Sequence, residues 1–210
     1  MPKIFPINSV SENDKEEISN TLKSGEIIAY PTDTIYGLGV DIYNSQAVQK
    51  LVNIKGRFLH KPISILFSDV YLALKCFNHL AAYQKEFIKR LLPGQVTLLL
   101  PVVNKDQFPP EFVREGYIGI RVVKLDYLNR ILSMYPHPIS TTSVNPSGKI
   151  PATNAQEIIS YFGGHISIIL DNGPLQALSS TVIKVYDSEY EILRQGMVTF
   201  EEIEEKAPTK

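Results

Sequence analysis

Lys55-Gly56-Arg57 places two cations either side of one glycine, and a tight turn at Gly56 would converge an ammonium and a forked guanidinium on one anion. The pair also suits a solvated helix end. Arg121 lies within the apolar run Ile118-Gly119-Ile120-Arg121-Val122-Val123, where a charge needs a partner or a cleft, and Arg194 follows Ile192-Leu193 just before Gln195-Gly196. Either arginine could instead sit in a structural salt bridge to Asp41, Asp126 or Asp171. Ser143 and Asn145 fall in a small-residue loop after a strand, fit for a ligand or for an Asx or Ser/Thr turn. The stretch from Tyr30 to Gly39 combines Pro31, Thr32, Asp33, Thr34 and Tyr36 with Gly37 and Gly39. Its proline stops ladder pairing and its glycines permit positive φ or close backbone approach, so it reads as a strand-to-loop turn or as a polar pocket floor. Cations and hydroxyls of this kind bind and neutralise anions.

Other chemistries are excluded. Gly148-Lys149 is followed by Ile150, and Ser143 stands where a Walker loop needs its first glycine; Gly37-Leu38-Gly39 has no third glycine at dinucleotide spacing. His60, His79, His137 and His165 are scattered without finger spacing, so no zinc site is expected. Cys76 lies among Leu72, Ala73 and Leu74 and reads as a small buried hydrophobe, and no Gly-x-Ser-x-Gly elbow occurs.

The elements that must position these groups follow from the pattern. The 210 residues, 44% hydrophobic and 20% charged, suit one globular domain over 1–210. A net charge of -1 supplies no global attraction to nucleic acid. One cysteine excludes an intrachain disulfide framework and suits a reducing compartment, the cytoplasm by default. No apolar run approaches a membrane span and no signal peptide opens the chain, so no membrane partner is expected.

Ile4 to Ile7 reads as an edge strand, and Ser11 with Asp14 caps a helix ending at Gly25. Asn44 or Ser45 caps a second helix with an apolar stripe of Ala47, Val48, Leu51, Val52 and Ile54 that delivers Lys55. Strands are expected at 63–67, 96–103, 117–123, 138–141, 166–170, 181–186 and 191–194, and helices after Asp69, over 80–92, over 126–134, after an Asn154–Glu157 capping box and after Thr199 with Glu202. The proline-rich 107–112 reads as a surface connection. Irregular alternation predicts an α/β fold on a twisted, mixed parallel and antiparallel sheet flanked by helices.

Tyr30-Pro31-Thr32-Asp33-Thr34-Ile35-Tyr36-Gly37-Leu38-Gly39 resembles the N-terminal signature of the YrdC/Sua5 family of threonylcarbamoyl-AMP synthases. In the family's order follow Lys55-Gly56-Arg57, Pro93-Gly94-Gln95-Val96-Thr97, Gly119-Ile120-Arg121, Ser143-Val144-Asn145, Ser180-Thr181-Val182 and Arg194-Gln195-Gly196. Val144 replaces the usual alanine, Val123-Lys124 a common Pro-Asp, and Leu92 a frequent tryptophan. The chain stops soon after Arg194, as in the family's short form without the extra C-terminal domain.

The resemblance implies a YrdC-like domain with a concave ligand cleft that joins L-threonine, bicarbonate or CO2, and ATP into threonylcarbamoyl-AMP and pyrophosphate. The product serves tRNA modification through a downstream threonylcarbamoyl transferase. It implies that Lys55, Arg57, Ser143 and Asn145 are catalytic and, with Arg194, bind ATP, while Thr32, Thr34, Ser64, Arg121, Thr141, Ser180 and Thr181 bind threonine. Mg2+ is expected with ATP, held by phosphates rather than by protein side chains, and no organic cofactor is expected. Two alternatives stand: a YrdC-like module that binds tRNA or double-stranded RNA, and a paralogue that adenylates another carbamate.

Overall fold

The computed structural model describes residues 1–56, 63–104, 106–175 and 178–208. Edge strand β1 (Lys3–Pro6) leads to α1 (Glu12–Lys23), closed at its start by a reciprocal capping box between Ser11 and Asp14. Strands β2 (Ile27–Tyr30) and β3 (Gly37–Gly39) flank the polar signature, and α2 (Ser45–Ile54), capped by Asn44, brings Lys55 to its C-terminal end. Gly56, at φ +57°, turns the chain there in the left-handed conformation that glycine adopts without strain. Next come β4 (Ser64–Leu66), α3 (Val70–Cys76), α4 (Ala82–Leu91), β5 (Val96–Pro101), β6 (Val113–Arg114) and β7 (Tyr117–Arg121). The chain closes through α5 (Asp126–Leu132), β8 (Ile139–Ser143), α6 (Ala155–Phe162), β9 (Ile166–Asp171), β10 (Thr181–Val185), β11 (Tyr190–Arg194) and α7 (Phe200–Lys206).

The described strands form one sheet in the order β1-β9-β2-β3-β8-β4-β7-β5-β10-β11, with β6 beside β7. Pairings are parallel for β1–β9, β2–β9, β4–β7 and β5–β10, and antiparallel elsewhere, which is the expected mixed sheet. One face carries Leu38, Ile65, Leu98, Leu100, Ile118, Ile120 and Ile183 into the larger core, shared with Leu51 of α2, Phe87 of α4 and Ile158 of α6. The other face is divided. Ile28, Tyr30, Leu66, Ile139 and Leu170 are covered by Ile18 and Leu22 of α1 and by Leu128 and Ile131 of α5. Two residues along the same strands, on the same side of the pleat, apolar gives way to polar: Ile139 to Thr141 and Ser143, Leu66 to Ser64, Val123 to Arg121. The helices stop where the hydroxyls begin, and the uncovered part of that face is the cleft.

Four expectations are corrected. The signature is a turn only up to Tyr36: Gly37–Gly39 pairs as a strand with β2 and β8, and the glycines serve close packing, since a Cβ at Gly39 would lie 2.6 Å from the Tyr30 ring and 2.8 Å from Ile139. Ser143 is a strand residue, opposite Gly37, rather than a loop residue. At α6, Asn154 accepts from the Glu157 N–H at 3.0 Å, but the Glu157 carboxylate accepts from Thr153 N and Oγ1, where two donors are available, so no reciprocal box closes. The proline-rich connection is more than surface: Phe108 and Phe112 are buried at 2% and 0% exposure, with Phe108 stacked on Phe77. Phe112→Ala is expected to lower unfolding stability by about 3–5 kcal/mol, read as a shifted urea midpoint at unchanged slope. Among the described residues no helix is long and apolar enough to cross a membrane.

Candidate functional site

The cleft encloses about 440 Å³. Strand register decides who lines it: Ser64 faces Thr141 across β4–β8, Gly37 faces Ser143 across β3–β8, and Val182 faces Thr97 across β10–β5. Alternation then puts Thr97 with Leu99, Thr141 with Ser143, and Ser180 with Val182 on one surface. Gly119 keeps the floor open beside Arg121, because a Cβ there would come within 2.6 Å of Ser64 Oγ.

Arg121 is the buried cation of this surface, at 5% exposure. Its partner is none of Asp41, Asp126 or Asp171 but Asp33 of the signature: Nη2 donates to Asp33 Oδ1 at 2.7 Å, and Nη1 donates to Thr34 Oγ1 at 3.2 Å. Asp41 is engaged with Tyr135 and His137, and Asp171 accepts from Tyr36, so both are occupied elsewhere. Arg121 Nε is buried with no hydrogen-bond partner. Burial pulls the guanidinium below its usual pKa and the Asp33 carboxylate opposes that, so the pair holds the charge in place. A guanidinium has five N–H donors, and these two contacts leave capacity for a further acceptor.

The threonines beside it have fixed proton directions. Thr32 Oγ1 donates to Ile35 O at 2.6 Å, so the 2.9 Å contact between the Thr32 and Thr34 hydroxyls must use the Thr34 proton. Thr34 Oγ1 also accepts from Arg121, and its remaining lone pair can receive only a donor, such as an amine N–H. Across the cleft Thr97 Oγ1 and Ser180 Oγ pair at 2.8 Å, sharing one proton and leaving one to offer. At the rim, Arg194 donates to Ser180 O at 2.8 Å beside the exposed Leu193.

The structure brings Thr32, Thr34, Ser64, Arg121, Thr141, Ser143, Ser180 and Arg194 to the cleft lining. Lys55 stands behind the wall. The residue is 1% exposed, and its ammonium donates to Ser143 O at 2.5 Å, Asn145 O at 2.6 Å and Asn145 Oδ1 at 3.3 Å, while Ser143 Oγ donates to the same Asn145 Oδ1. Asn145 Nδ2 donates to Pro146 O and Lys149 O, so that side chain braces its own turn. Thr181 is not brought to the lining: its hydroxyl accepts from Gly196 N and Val198 N and donates to Val198 O, fastening β10 to the turn before α7. Arg57 and His60 lie outside the described residues. Thr97 belongs to the site although sequence reasoning gave it no role; the signal was its two-residue spacing from Leu99 in a segment already matched to the family pattern. Among the described residues no group of three potential metal ligands occurs and none of those lining the cleft is a carboxylate.

Among the described residues the lining offers the guanidinium groups of Arg121 and Arg194 to anions and hydroxyl oxygens to an N–H donor, and it includes no cysteine, histidine or carboxylate that could act as nucleophile. The family model for Sua5, YciO and YrdC, described as "Telomere recombination", matches residues 20–196. A threonylcarbamoyl-AMP synthase from Photobacterium profundum is 33% identical over 184 residues, covering 86% of this chain and 98% of its own. One from Bacillus subtilis is 30% identical over 200 residues, and this chain spans 58% of its length. The crystal structure of P. abyssi Sua5 complexed with L-threonine superposes with a TM-score of 0.83 at 26% identity, covering 98% of this chain and 59% of that one.

Proposed function

The chain belongs to the Sua5/YciO/YrdC family, and from that membership and the cleft's chemistry we propose that it is a threonylcarbamoyl-AMP synthase acting in tRNA modification. The observation that carries the substrate assignment is Arg121: a buried cation on the cleft wall, whose contacts with Asp33 and Thr34 leave terminal N–H donors unused, calls for a carboxylate. Beside it Thr34 accepts and cannot donate, which suits the substrate amine. An amino acid satisfies both, and the Thr97–Ser180 pair and the Thr141 and Ser64 hydroxyls remain for its own hydroxyl or its carbamate.

Threonine's neutral amine adds to CO2 and releases a proton to solvent to give an anionic carbamate, and a carbamate oxygen displaces pyrophosphate from the α-phosphorus of ATP. Both partners are anionic. Positioning and charge neutralisation therefore carry the rate, and no side-chain nucleophile is needed. Arg194 at the rim, Ser143 on the wall, Lys55 and Asn145 behind it, and Arg57 are assigned to the nucleotide. The lining offers hydroxyls without a carboxylate, so Mg2+ would enter on the ATP phosphates and be held mainly by them. The reaction is placed in the cytoplasm, with a threonylcarbamoyl transferase consuming the product.

Incubation with ATP, Mg2+, bicarbonate and isotopically labelled threonine is expected to yield the labelled adenylate by mass spectrometry with stoichiometric pyrophosphate. ATP hydrolysis without threonine, or steeply salt-dependent tRNA binding without pyrophosphate release, would reject this reading.

A further inference from the structure

We propose that Asp33 is a positioning residue for amino-acid binding, holding the Arg121 guanidinium in the orientation that receives the substrate carboxylate. The inference rests on the assignment of threonine to the Arg121 subsite. Asp33 is absent from the cleft lining and borders instead a second cavity of about 520 Å³, with Gln95 and Lys124, so it acts through Arg121 rather than on substrate.

Two contacts prevent the carboxylate from swinging, and a third holds the backbone that carries it. Oδ1 accepts from Arg121 Nη2 at 2.7 Å, Oδ2 accepts from Lys124 N at 2.8 Å, and the Asp33 carbonyl accepts from Gln95 Nε2 at 2.5 Å. Each comes from a different part of the fold: the end of β7, the segment beyond it, and the loop before β5. Both side chains of the ion pair are 6% exposed, so the guanidinium cannot exchange Asp33 for water. A guanidinium held at both terminal nitrogens, by Asp33 and Thr34, has its plane fixed, so the remaining Nη N–H donors keep set directions and a carboxylate meets them without reorganisation. Asp33 also offsets the buried charge, so Arg121 confers orientation without leaving the empty cleft with an uncompensated cation.

Asp33→Asn is the test, because a carboxamide of the same shape can accept at one of its two positions but must present N–H at the other, against either Arg121 or Lys124 N. Calorimetric titration with threonine is expected to show affinity weakened by on the order of tenfold, with ATP affinity within about twofold of wild type. In turnover the threonine KM should rise while kcat at saturating threonine is largely held. Asp33→Glu, which keeps the charge but advances it by one methylene, should also weaken threonine. Should Asp33→Asn fail to fold, Gln95→Leu loosens only the carbonyl brace and should weaken threonine without affecting ATP. Parallel loss of threonine and ATP affinity, or wild-type threonine binding in these folded variants, would overturn the proposal. A wild-type protein that binds no threonine would instead remove the substrate assignment itself, and the proposal with it.

Discussion

Arg121→Ala is expected to reduce adenylate formation at sub-saturating threonine by on the order of a hundredfold, since losing one charge-assisted contact from a water-excluded site costs about 2–5 kcal/mol. The loss should fall on threonine, with ATP affinity little changed, because Arg121 lies beside Thr34 in the subsite assigned to the amino acid. Alanine also leaves the Asp33 carboxylate buried without its cation. Arg121→Lys separates the two effects. An ammonium can still pair with Asp33 and preserve the fold, but it lacks the planar fork and the Nε donor, so threonine affinity should fall while the urea midpoint stays near wild type. Purified, folded Arg121→Ala protein with wild-type threonine affinity would dismiss the carboxylate assignment.

Lys55→Ala should cost a comparable factor in turnover, on the order of a hundredfold, but by another route. The Lys55 ammonium holds the Ser143 and Asn145 carbonyls and the Asn145 side chain, so its removal frees the wall on which the nucleotide is assigned to rest. Threonine binding measured without ATP should survive, whereas adenylate formation should not. Ser143 O keeps the Asn145 N–H and Asn145 Oδ1 keeps the Ser143 hydroxyl, so the loss of the Asn145 carbonyl's partner is expected to lower stability by about 1–3 kcal/mol. If Lys55→Ala and Arg121→Ala weaken threonine binding equally, the amino-acid and nucleotide subsites are not divided as proposed.

Much of this architecture was readable in local chemistry. The Ser11–Asp14 and Thr199–Glu202 boxes close their helices as expected, because capping is settled within four residues. Arg121 announced itself as a charge in an apolar strand, and the turn at Gly56 followed from the helix ending before it. What escaped depended on pairing across long separations. Asp33 and Arg121 are 88 residues apart, and nothing in either neighbourhood distinguishes Asp33 from Asp41 or Asp171 as the partner. Ser180 and Thr181 are chemically similar neighbours, yet a strand sends consecutive side chains to opposite faces, so one meets the cleft and the other fastens the backbone.

The sequence by itself determined the inventory: the helices and most strands, a mixed α/β sheet, a set of hydroxyls and cations without a nucleophile, and the family pattern they form. Only the tertiary structure decided which of those groups share a surface, which hydroxyls can donate, and that Lys55 backs the wall while Arg121 forms part of it. The physical reason is range. Caps and turns are fixed by neighbours along the chain, whereas the cleft arises where two helices end over one sheet face and strand register sets distant side chains opposite one another.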